Sequence, residues 1–299
     1  MQAIIESMTK IQAYAAAQQT SEVVVRWEPE VDSTNARLLL EPWHHAGPER
    51  ADDLSAICLL ADHQSAGRGR HRKRWHDEPG ACLLMSLLID RNKAAWPEGL
   101  AGFSLACAAT VAQRLEIQAC LLSAKANSKL WLKWPNDLVR LTQEKGLSKL
   151  AGILIETRQH AGQSRLVIGL GVNLLLPQMP SADPQALPAD ALFSVGDSVA
   201  HLLDRDWRMA LAKYVSQDLL QCWIDFERHG LAAFTSLIET RDVLRDRRLL
   251  VQDEGQEDWF EALGQGIDDR GYLRILSQRS GRLPSLETIY QGSVRLLSR

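Results

Sequence analysis

The chain has 299 residues, of which 45% are hydrophobic and 24% are charged, and its formal net charge at pH 7 is −3. This composition is ordinary for a soluble globular protein, and the length suits one large domain with a small one. The net charge excludes a protein that binds nucleic acid through its bulk electrostatics. The five cysteines are scattered without a CxxC pair, which argues against a zinc site and indicates a reducing compartment.

The N-terminus predicts a short helix over residues 1–19, and it lacks the basic-then-apolar pattern of a signal peptide. The longest apolar run, residues 99–112, is too short to span a bilayer. We therefore expect a cytoplasmic protein without a membrane segment, in which residues 1–21 form an N-terminal helical extension.

The following elements are predicted from apolar runs and their periodicity. Strands are predicted at residues 22–27, 56–62, 81–89, 130–134, 150–157 and 165–174, and helices at 97–115 and 206–230. Because strands and helices do not alternate regularly, the sequence favours an α+β fold over a Rossmann sheet. Short strands separated by turns follow residue 245 and predict a small β-barrel or sandwich. We therefore predict a main domain over residues 22–245 and a small β domain over 246–299.

A basic loop, residues 64–75 (QSAGRGRHRKRW), places five cations within seven positions between two predicted strands. Those cations are Arg68, Arg70, Arg72, Lys73 and Arg74. Gly67 and Gly69 let the backbone approach a ligand closely, and arginine binds phosphate or carboxylate through paired hydrogen bonds. The loop therefore predicts either a solvated basic face or a lid that stays disordered until it closes over a bound anion.

Two further segments carry polar groups next to predicted elements. In VDSTN, residues 31–35, a hydroxyl suits a helix N-cap, although a hydroxyl at a helix start can also bind a ligand. In KWPND, residues 133–137, a proline fixes the chain beside Asn136 and Asp137, and the same sequence is good turn chemistry. Both segments therefore have a structural and a functional interpretation.

Two predicted strands carry glycines on one face. KLAGILIE places Lys149 three residues before Gly152, and GLGVN places Gly169, Gly171 and Asn173 on the same side of a strand. A row of small side chains predicts either a trough for a ligand or tight packing within the sheet.

In order and spacing, these motifs resemble those of one family. DSTN, QxxGRGRxxxxW, KWPND, KLAGILxE and a G-x-G-x-N strand occur in this order within residues 32–173. The same order is typical of the biotin protein ligases, also called biotin–[acetyl-CoA-carboxylase] ligases. The resemblance extends over about the whole chain from residue 22. It implies an α+β catalytic domain with a mixed sheet and helices, the biotin/lipoate ligase-like fold, followed by a small SH3-like β-barrel.

The resemblance also implies a reaction. Biotin and ATP, supplied with Mg²⁺, would form biotinyl-5′-adenylate and pyrophosphate. A lysine of a biotin carboxyl carrier domain would then take the biotinyl group and release AMP. ATP and biotin are substrates here, and no tightly bound prosthetic group is expected. Because two anions meet in the first step, the site must supply positive charge, and it must exclude water, which hydrolyses the mixed anhydride.

By analogy with the family, Lys149 and Arg70 would be catalytic. The residues that would bind biotin are Ser33, Thr34, Asn35, Gln64, Gly67, Arg68, Gly69, Arg70, Lys149, Gly152, Gly169 and Gly171. Those that would bind ATP are Arg68, Arg70, Lys133, Asn136, Asp137 and Asn173. Asp137 would also hold the metal, and the family's adenine loop would correspond to the proline-rich segment 177–193, with Leu192 or Phe193 as its apolar cover.

Some features depart from the family, and alternatives remain open. Arg72 stands where the family often has a third glycine, and residues 138–148 form a longer link that predicts a surface hairpin. Some bacterial members carry a winged helix-turn-helix and repress biotin genes, but the extension here is too short for one, so we expect no specific DNA binding. A lipoate- or octanoate-transferring relative and, from another class, a nucleic-acid-binding module are the alternatives. A homodimer is also left open.

Overall fold

The computed structural model of the chain describes residues 23–43, 56–70, 73–91, 100–122, 129–142, 146–176, 186–193, 203–256, 258–278 and 283–297. The predicted N-terminal helical extension lies outside the described residues. So do Arg72 and most of the proline-rich segment.

A seven-stranded sheet forms the centre of the main part of the chain. Its strands are β1 (Val23–Val31), β2 (Ala56–Gln64), β3 (Cys82–Arg91), β4 (Trp131–Lys133), β5 (Asp137–Thr142), β6 (Gly146–His160) and β7 (Gln163–Asn173). They lie in the order β1-β2-β3-β7-β6-β5-β4, and only the β1–β2 pair is parallel, so the sheet is mixed, as predicted. The link over residues 138–148 lies in the β5–β6 hairpin.

Helices cover the two faces of this sheet unequally. The short helix α1 (Thr34–Leu40) packs on one face against β3 and β7, where Leu38 closes a small apolar cluster. On the other face, α2 (Phe103–Leu122) and α3 (Arg205–His229) pack against each other and bury the larger core. The face with α1 is therefore the one that has room for a site.

By its length and composition, α2 could cross a membrane. In this fold it is a core helix, because residues such as Phe103, Val111 and Leu115 are fully buried and the helix packs between the sheet and α3. It ends seven residues beyond the predicted helix, at Leu122 rather than at residue 115. The α3 helix lies within one residue of its prediction at each end, with Gly230 at its C-terminus.

A five-stranded antiparallel sheet follows α3, a 3₁₀ turn (Gly230–Phe234) and α4 (Thr235–Glu239). Its strands are β8 (Arg248–Asp253), β9 (Phe260–Ile267), β10 (Leu273–Ser277), β11 (Ser285–Ile289) and β12 (Gly292–Leu296). Their order is β11-β10-β9-β8-β12. The predicted α+β fold with a small C-terminal β unit is thus confirmed.

The small sheet contacts the main part of the chain through a close approach of two backbones. Gly102 and Gly271 both have positive φ, and a Cβ on Gly271 would lie 2.2 Å from Gly102 Cα. Nearby, Trp134 Nε1 donates to Gly271 O at 3.1 Å. Because Trp134 belongs to the KWPND motif, this contact joins the small sheet to the part of the chain that carries the site.

Candidate active site

The sequence motifs meet on the face of the main sheet that carries α1. Thr34 and Asn35 lie in the first turn of α1, and both are buried. Gly152 in β6 pairs directly with Gly171 in β7, and Gly169 lies two residues further along the same face of β7. The fold therefore brings residues from distant parts of the chain onto one surface.

Side chains of the protein lie on the predicted glycine trough. A Cβ at Gly171 would stand 2.7 Å from the indole of Trp75, and one at Gly169 would stand 2.3 Å from Asn35 Oδ1. A Cβ at Gly152 would lie 3.2 Å from Lys149 Nζ, the end of a flexible side chain. The trough and the tight packing that the sequence left as alternatives are therefore the same feature. Because these glycines have no Cβ atoms, the site's own side chains can approach the strands closely.

The basic loop folds as a short hairpin beside this surface. Trp75 N donates to Gly67 O at 3.0 Å, and Gly69 N donates to Lys73 O at 2.7 Å. A Cβ on Gly67 would lie 2.7 Å from Trp75 O, so this crossing of the chain needs glycine. The sequence predicted a disordered loop, whereas the residues of this loop that the structure describes, 64–70 and 73–75, form an ordered hairpin.

Carboxylates of the site face its cations. Lys149 Nζ lies 2.7 Å from Asp137 Oδ1, and Arg68 Nη1 lies 3.3 Å from Glu156 Oε1. These pairs reduce the repulsion between Arg68, Lys149 and the other cations of the site.

Two cations of the site are largely buried. Burial lowers the pKa of Arg70, while the negative charges of Asp137 and Glu254 act in the opposite direction. Burial also lowers the pKa of Lys133, which is 8% exposed; Asp137 opposes this shift and the charge of Lys149 adds to it. Asp137 is thus a carboxylate that several cations share, and Glu254 brings a charge of the small β unit to the basic loop.

Lys149 lies at an irregularity in β6. The register between β5 and β6 shifts beside it, and a neighbouring segment holds its peptide: its N–H donates to Pro188 O at 2.7 Å and its C=O accepts from Asp190 N at 2.8 Å. Such bulges redirect side chains. Here the amine lies 5.5 Å from the centroid of the Trp75 ring, next to the glycine surface.

A cluster of polar side chains lies at the other end of the site. Thr34 donates to Gln64 Oε1 through its backbone N–H at 2.8 Å and its hydroxyl at 3.1 Å. The Ser86 hydroxyl lies 2.7 Å from Thr34 Oγ1 and also hydrogen-bonds to Asn35 Oδ1. The predicted ligand-binding residues of VDSTN and of the basic loop are therefore in direct contact with one another.

Three predicted ligand residues hydrogen-bond to the protein itself. Ser33 is the N-cap of α1, as the structural interpretation of VDSTN predicted. Asn136 Nδ2 donates to Ile153 O at 2.6 Å, and Asn173 Nδ2 donates to Asp190 O at 2.9 Å. Contacts of these three side chains with biotin or ATP stay predictions.

Leu192 and Phe193 lie in the core, each 2% exposed. The ring of Phe193 packs edge-on against Trp207, with 6.1 Å between centroids. Because both side chains are enclosed by the apolar core, the prediction that one of them covers a bound adenine is wrong.

Three residues of the site were not predicted from the sequence: Trp75, Ser86 and Glu156. The sequence does contain a feature that marks each of these residues. Ser86 interrupts the apolar run ACLLMSLLI, Glu156 ends KLAGILIE, and Trp75 ends the basic-loop motif. What each side chain contacts depends on pairing between distant strands, which these local signals do not reveal.

The described part of the chain contains no group of three or more His, Cys, Asp or Glu side chains that could hold a metal ion. All five cysteines are free. Cys58, Cys82 and Cys107 are buried, as predicted.

Comparison with known proteins identifies the family. Residues 29–173 match the Biotin/lipoate A/B protein ligase family. The bifunctional ligase/repressor BirA of Salmonella typhimurium is 30% identical over 251 residues, which make up 83% of this chain and 68% of that protein. This chain belongs to the biotin protein ligase family. It spans about two thirds of the length of BirA, and the Escherichia coli protein gives nearly the same values, 29% identity with coverage of 83% and 67%.

Other biotin protein ligases match this one over nearly their whole length. The biotin–[acetyl-CoA-carboxylase] ligase of Paracoccus denitrificans is 28% identical over 266 residues, 87% of this chain and 98% of that protein. The biotin protein ligase of Aquifex aeolicus in complex with biotin and ATP has a TM-score of 0.63 at 21% identity, covering 92% of this chain and 99% of that one. The fold of this biotin protein ligase is therefore shared from the main sheet through the small β unit.

Proposed function

We propose that this biotin protein ligase activates biotin with ATP as biotinyl-5′-adenylate and transfers the biotinyl group to a lysine of a biotin carboxyl carrier domain. The name of the Paracoccus relative states this ligase activity for that protein. One observation carries the proposal: Lys149, the basic loop and the polar cluster around Thr34 lie together on one face of the sheet.

In the first step, the biotin carboxylate attacks the α-phosphorus of ATP, and pyrophosphate leaves. The reaction needs positive charge because both reactants are anions. Lys149 would supply it beside the reacting atoms, since Asp137 and the Trp75 ring hold its amine in place while its side chain stays 33% exposed. The guanidinium forks of Arg68 and Arg70 would bind the carboxylate and phosphate oxygens.

In the second step, the amine of the carrier lysine attacks the carbonyl carbon of the mixed anhydride. An amide bond forms, the bond to phosphate breaks, and AMP leaves. Until the carrier arrives, the basic loop and Trp75 would shield the anhydride from water.

The polar cluster favours biotin over lipoate or octanoate. The ureido group of biotin offers one hydrogen-bond acceptor and two donors, which suit the groups presented by Thr34, Asn35 and Gln64. A lipoyl or octanoyl chain has no ureido group to hydrogen-bond with these residues, and sites built to bind a polar group reject analogues that lack it. Biotin is therefore the acyl substrate that we propose.

Magnesium would enter together with ATP. Proteins commonly hold Mg²⁺ through one or two carboxylates and the phosphates of the substrate rather than through an all-protein cage. The site fits this pattern, because Asp137 offers a carboxylate next to Lys149. When bound, the ion would neutralise part of the triphosphate charge.

The exchange of labelled pyrophosphate into ATP tests the proposal without an acceptor protein. We expect exchange that depends on biotin and that lipoate or octanoate does not support. Exchange with lipoate and none with biotin would instead assign the protein to the lipoate ligases.

Gly169→Ala should impair biotin binding more than Gly152→Ala. The new methyl group at 169 would overlap Asn35, whose amide is fixed by hydrogen bonds to Leu154 O and Glu156. At 152 it would meet the movable end of Lys149. We expect the biotin KM to rise about tenfold or more in Gly169→Ala, because a misplaced buried polar group costs about 1–3 kcal/mol. Equal KM values for the two variants in the exchange assay would contradict this role of Asn35.

We also propose that the protein acts in the cytoplasm and binds no specific DNA sequence. The free, mostly buried thiols and the net charge of −3 support this. Weak binding to any duplex at low salt, lost near physiological salt, is expected from the basic loop alone. In a fluorescence anisotropy titration at physiological salt, a complex with one operator sequence but not with its scrambled form would overturn the proposal.

A further inference from the structure

Side-chain hydrogen bonds and one ion pair connect the start of the basic loop to its middle. The connected side chains are, in order, Gln64, Thr34, Ser86, Asn35, Glu156 and Arg68. Gln64 and Arg68 are only four residues apart, yet the connection between them passes through α1, β3 and β6. The side chains that would hold the biotin ring and those that would hold its carboxylate are thus physically joined.

Glu156 connects the side chains that would hold the biotin ring to those that would hold the biotin carboxylate. Its Oε2 accepts from Asn35 Nδ2 at 2.8 Å, and its Oε1 lies 3.3 Å from Arg68 Nη1. Asn35 is 3% exposed, whereas the Arg68 side chain is 42% exposed and belongs to the loop. One carboxylate therefore links a fixed, buried amide to a cation of the loop.

We propose that Glu156 is a positioning residue that couples the ring end of the site to the basic loop. This inference rests on the proposed biotin-activating function and deepens it. Glu156 holds one edge of the Arg68 guanidinium, and the remaining N–H donors of that group are left for the carboxylate and phosphate oxygens of the adenylate. Through its other oxygen it holds the Asn35 amide in the orientation that faces the ring.

A positioning role explains why the site contains the negative charge of Glu156. A carboxylate in a site for anions repels the ligand, so its presence has a cost in binding free energy unless it orders other groups. Ion pairs as exposed as Glu156–Arg68 also contribute little to folding stability. The loss of Glu156 should therefore appear in ligand binding and retention rather than in thermal stability.

The test compares Glu156→Gln with Glu261→Gln as a matched control. Glu261 also pairs with an arginine, Arg248, at 2.8 Å, but in the small β-sheet. In Glu156→Gln we expect the biotin KM and the release rate of the adenylate each to rise about tenfold, in line with the loss of a hydrogen bond to a charged group. The ATP KM and the melting temperature should change little, and Glu261→Gln should match the wild type.

Combining Glu156→Gln with Arg68→Gln shows whether Glu156 acts through Arg68. If it does, adding Glu156→Gln to Arg68→Gln leaves the release rate unchanged, while the biotin KM still rises through Asn35. Fully additive effects on release, or wild-type release in Glu156→Gln, would overturn the inference. So would a lower melting temperature with unchanged KM and release rate. A wild-type protein without any biotin-dependent exchange would instead reject the proposed function itself.

Discussion

Replacing Lys149 with alanine should reduce biotin-dependent adenylation about 100- to 1,000-fold in kcat, the usual cost of removing a charge-stabilising donor from a transition state. The amine lies 2.7 Å from Asp137 and 5.5 Å from the Trp75 ring, with its peptide fixed by the segment around residue 189. Its removal takes away a positive charge and also leaves the Asp137 carboxylate facing the incoming anions. Both changes raise the energy of a step in which two anions meet.

The measurement is the rate of pyrophosphate exchange at saturating biotin and ATP, with thermal unfolding as the check on the fold. Lys213→Ala is the matched control, because Lys213 is an exposed lysine of α3 on the other side of the molecule from the site. A Lys149→Ala enzyme that keeps wild-type turnover would show that this lysine is only a solvated side chain.

Arg70→Gly should loosen the hold of the site on biotinyl-5′-adenylate. Arg70 is largely buried in the basic loop and feels the negative charges of Asp137 and Glu254, so we expect its cation to stand next to the phosphate rather than in solvent. Losing a charged hydrogen bond there should speed release of the adenylate about tenfold or more. The freed anhydride should then label lysines on bystander proteins, which mass spectrometry of an added bystander such as serum albumin would detect.

Arg74→Gly separates this effect from simple flexibility. Arg74 belongs to the same loop, but it is exposed and donates to Ser65 O at 2.7 Å. Both variants add a glycine to the hairpin, whereas only Arg70→Gly removes the buried cation. Equal leakage from the two variants would mean that hairpin rigidity, and not the charge of Arg70, retains the adenylate.

The main features of the fold could be predicted from local sequence signals. Long apolar runs marked the central strands, and the helical periodicity that ends at Gly230 marked α3 within one residue at each end. The end of α2 was less accurate, because its last turn carries no basic residue and no glycine that would mark a helix end in the sequence. The predicted helix was seven residues too short, because no helix-stop signal in the sequence showed where it ends.

The contacts within the site could be predicted only in part. The family resemblance selected Lys149 and the arginines of the basic loop, and the fold brings them together. The resemblance did not predict that the amides of Asn136 and Asn173 donate to carbonyls of neighbouring strands and segments. Those carbonyls come close to the amides only when distant parts of the chain pair, so no local sequence pattern predicts these hydrogen bonds.

Burial explains the prediction that was wrong. Phe193 ends the proline-rich segment, a position typical of a mobile cover, yet its backbone N–H donates to Leu174 O at 3.0 Å and its ring lies in the core. Ser86 is a different case: as a polar residue within an apolar run it stood out in the sequence, but its contacts with Thr34 and Asn35 could not be predicted.

Biotin transfer to a carrier domain tests the central claim most directly. The protein is incubated with Mg-ATP, biotin and a purified biotin carboxyl carrier domain, and the intact mass of the carrier is measured. We expect one added biotinyl group, absent when ATP is omitted and absent from a carrier whose acceptor lysine is replaced by arginine. An unmodified carrier, or a carrier that gains a lipoyl or octanoyl group in competition with biotin, would contradict the account.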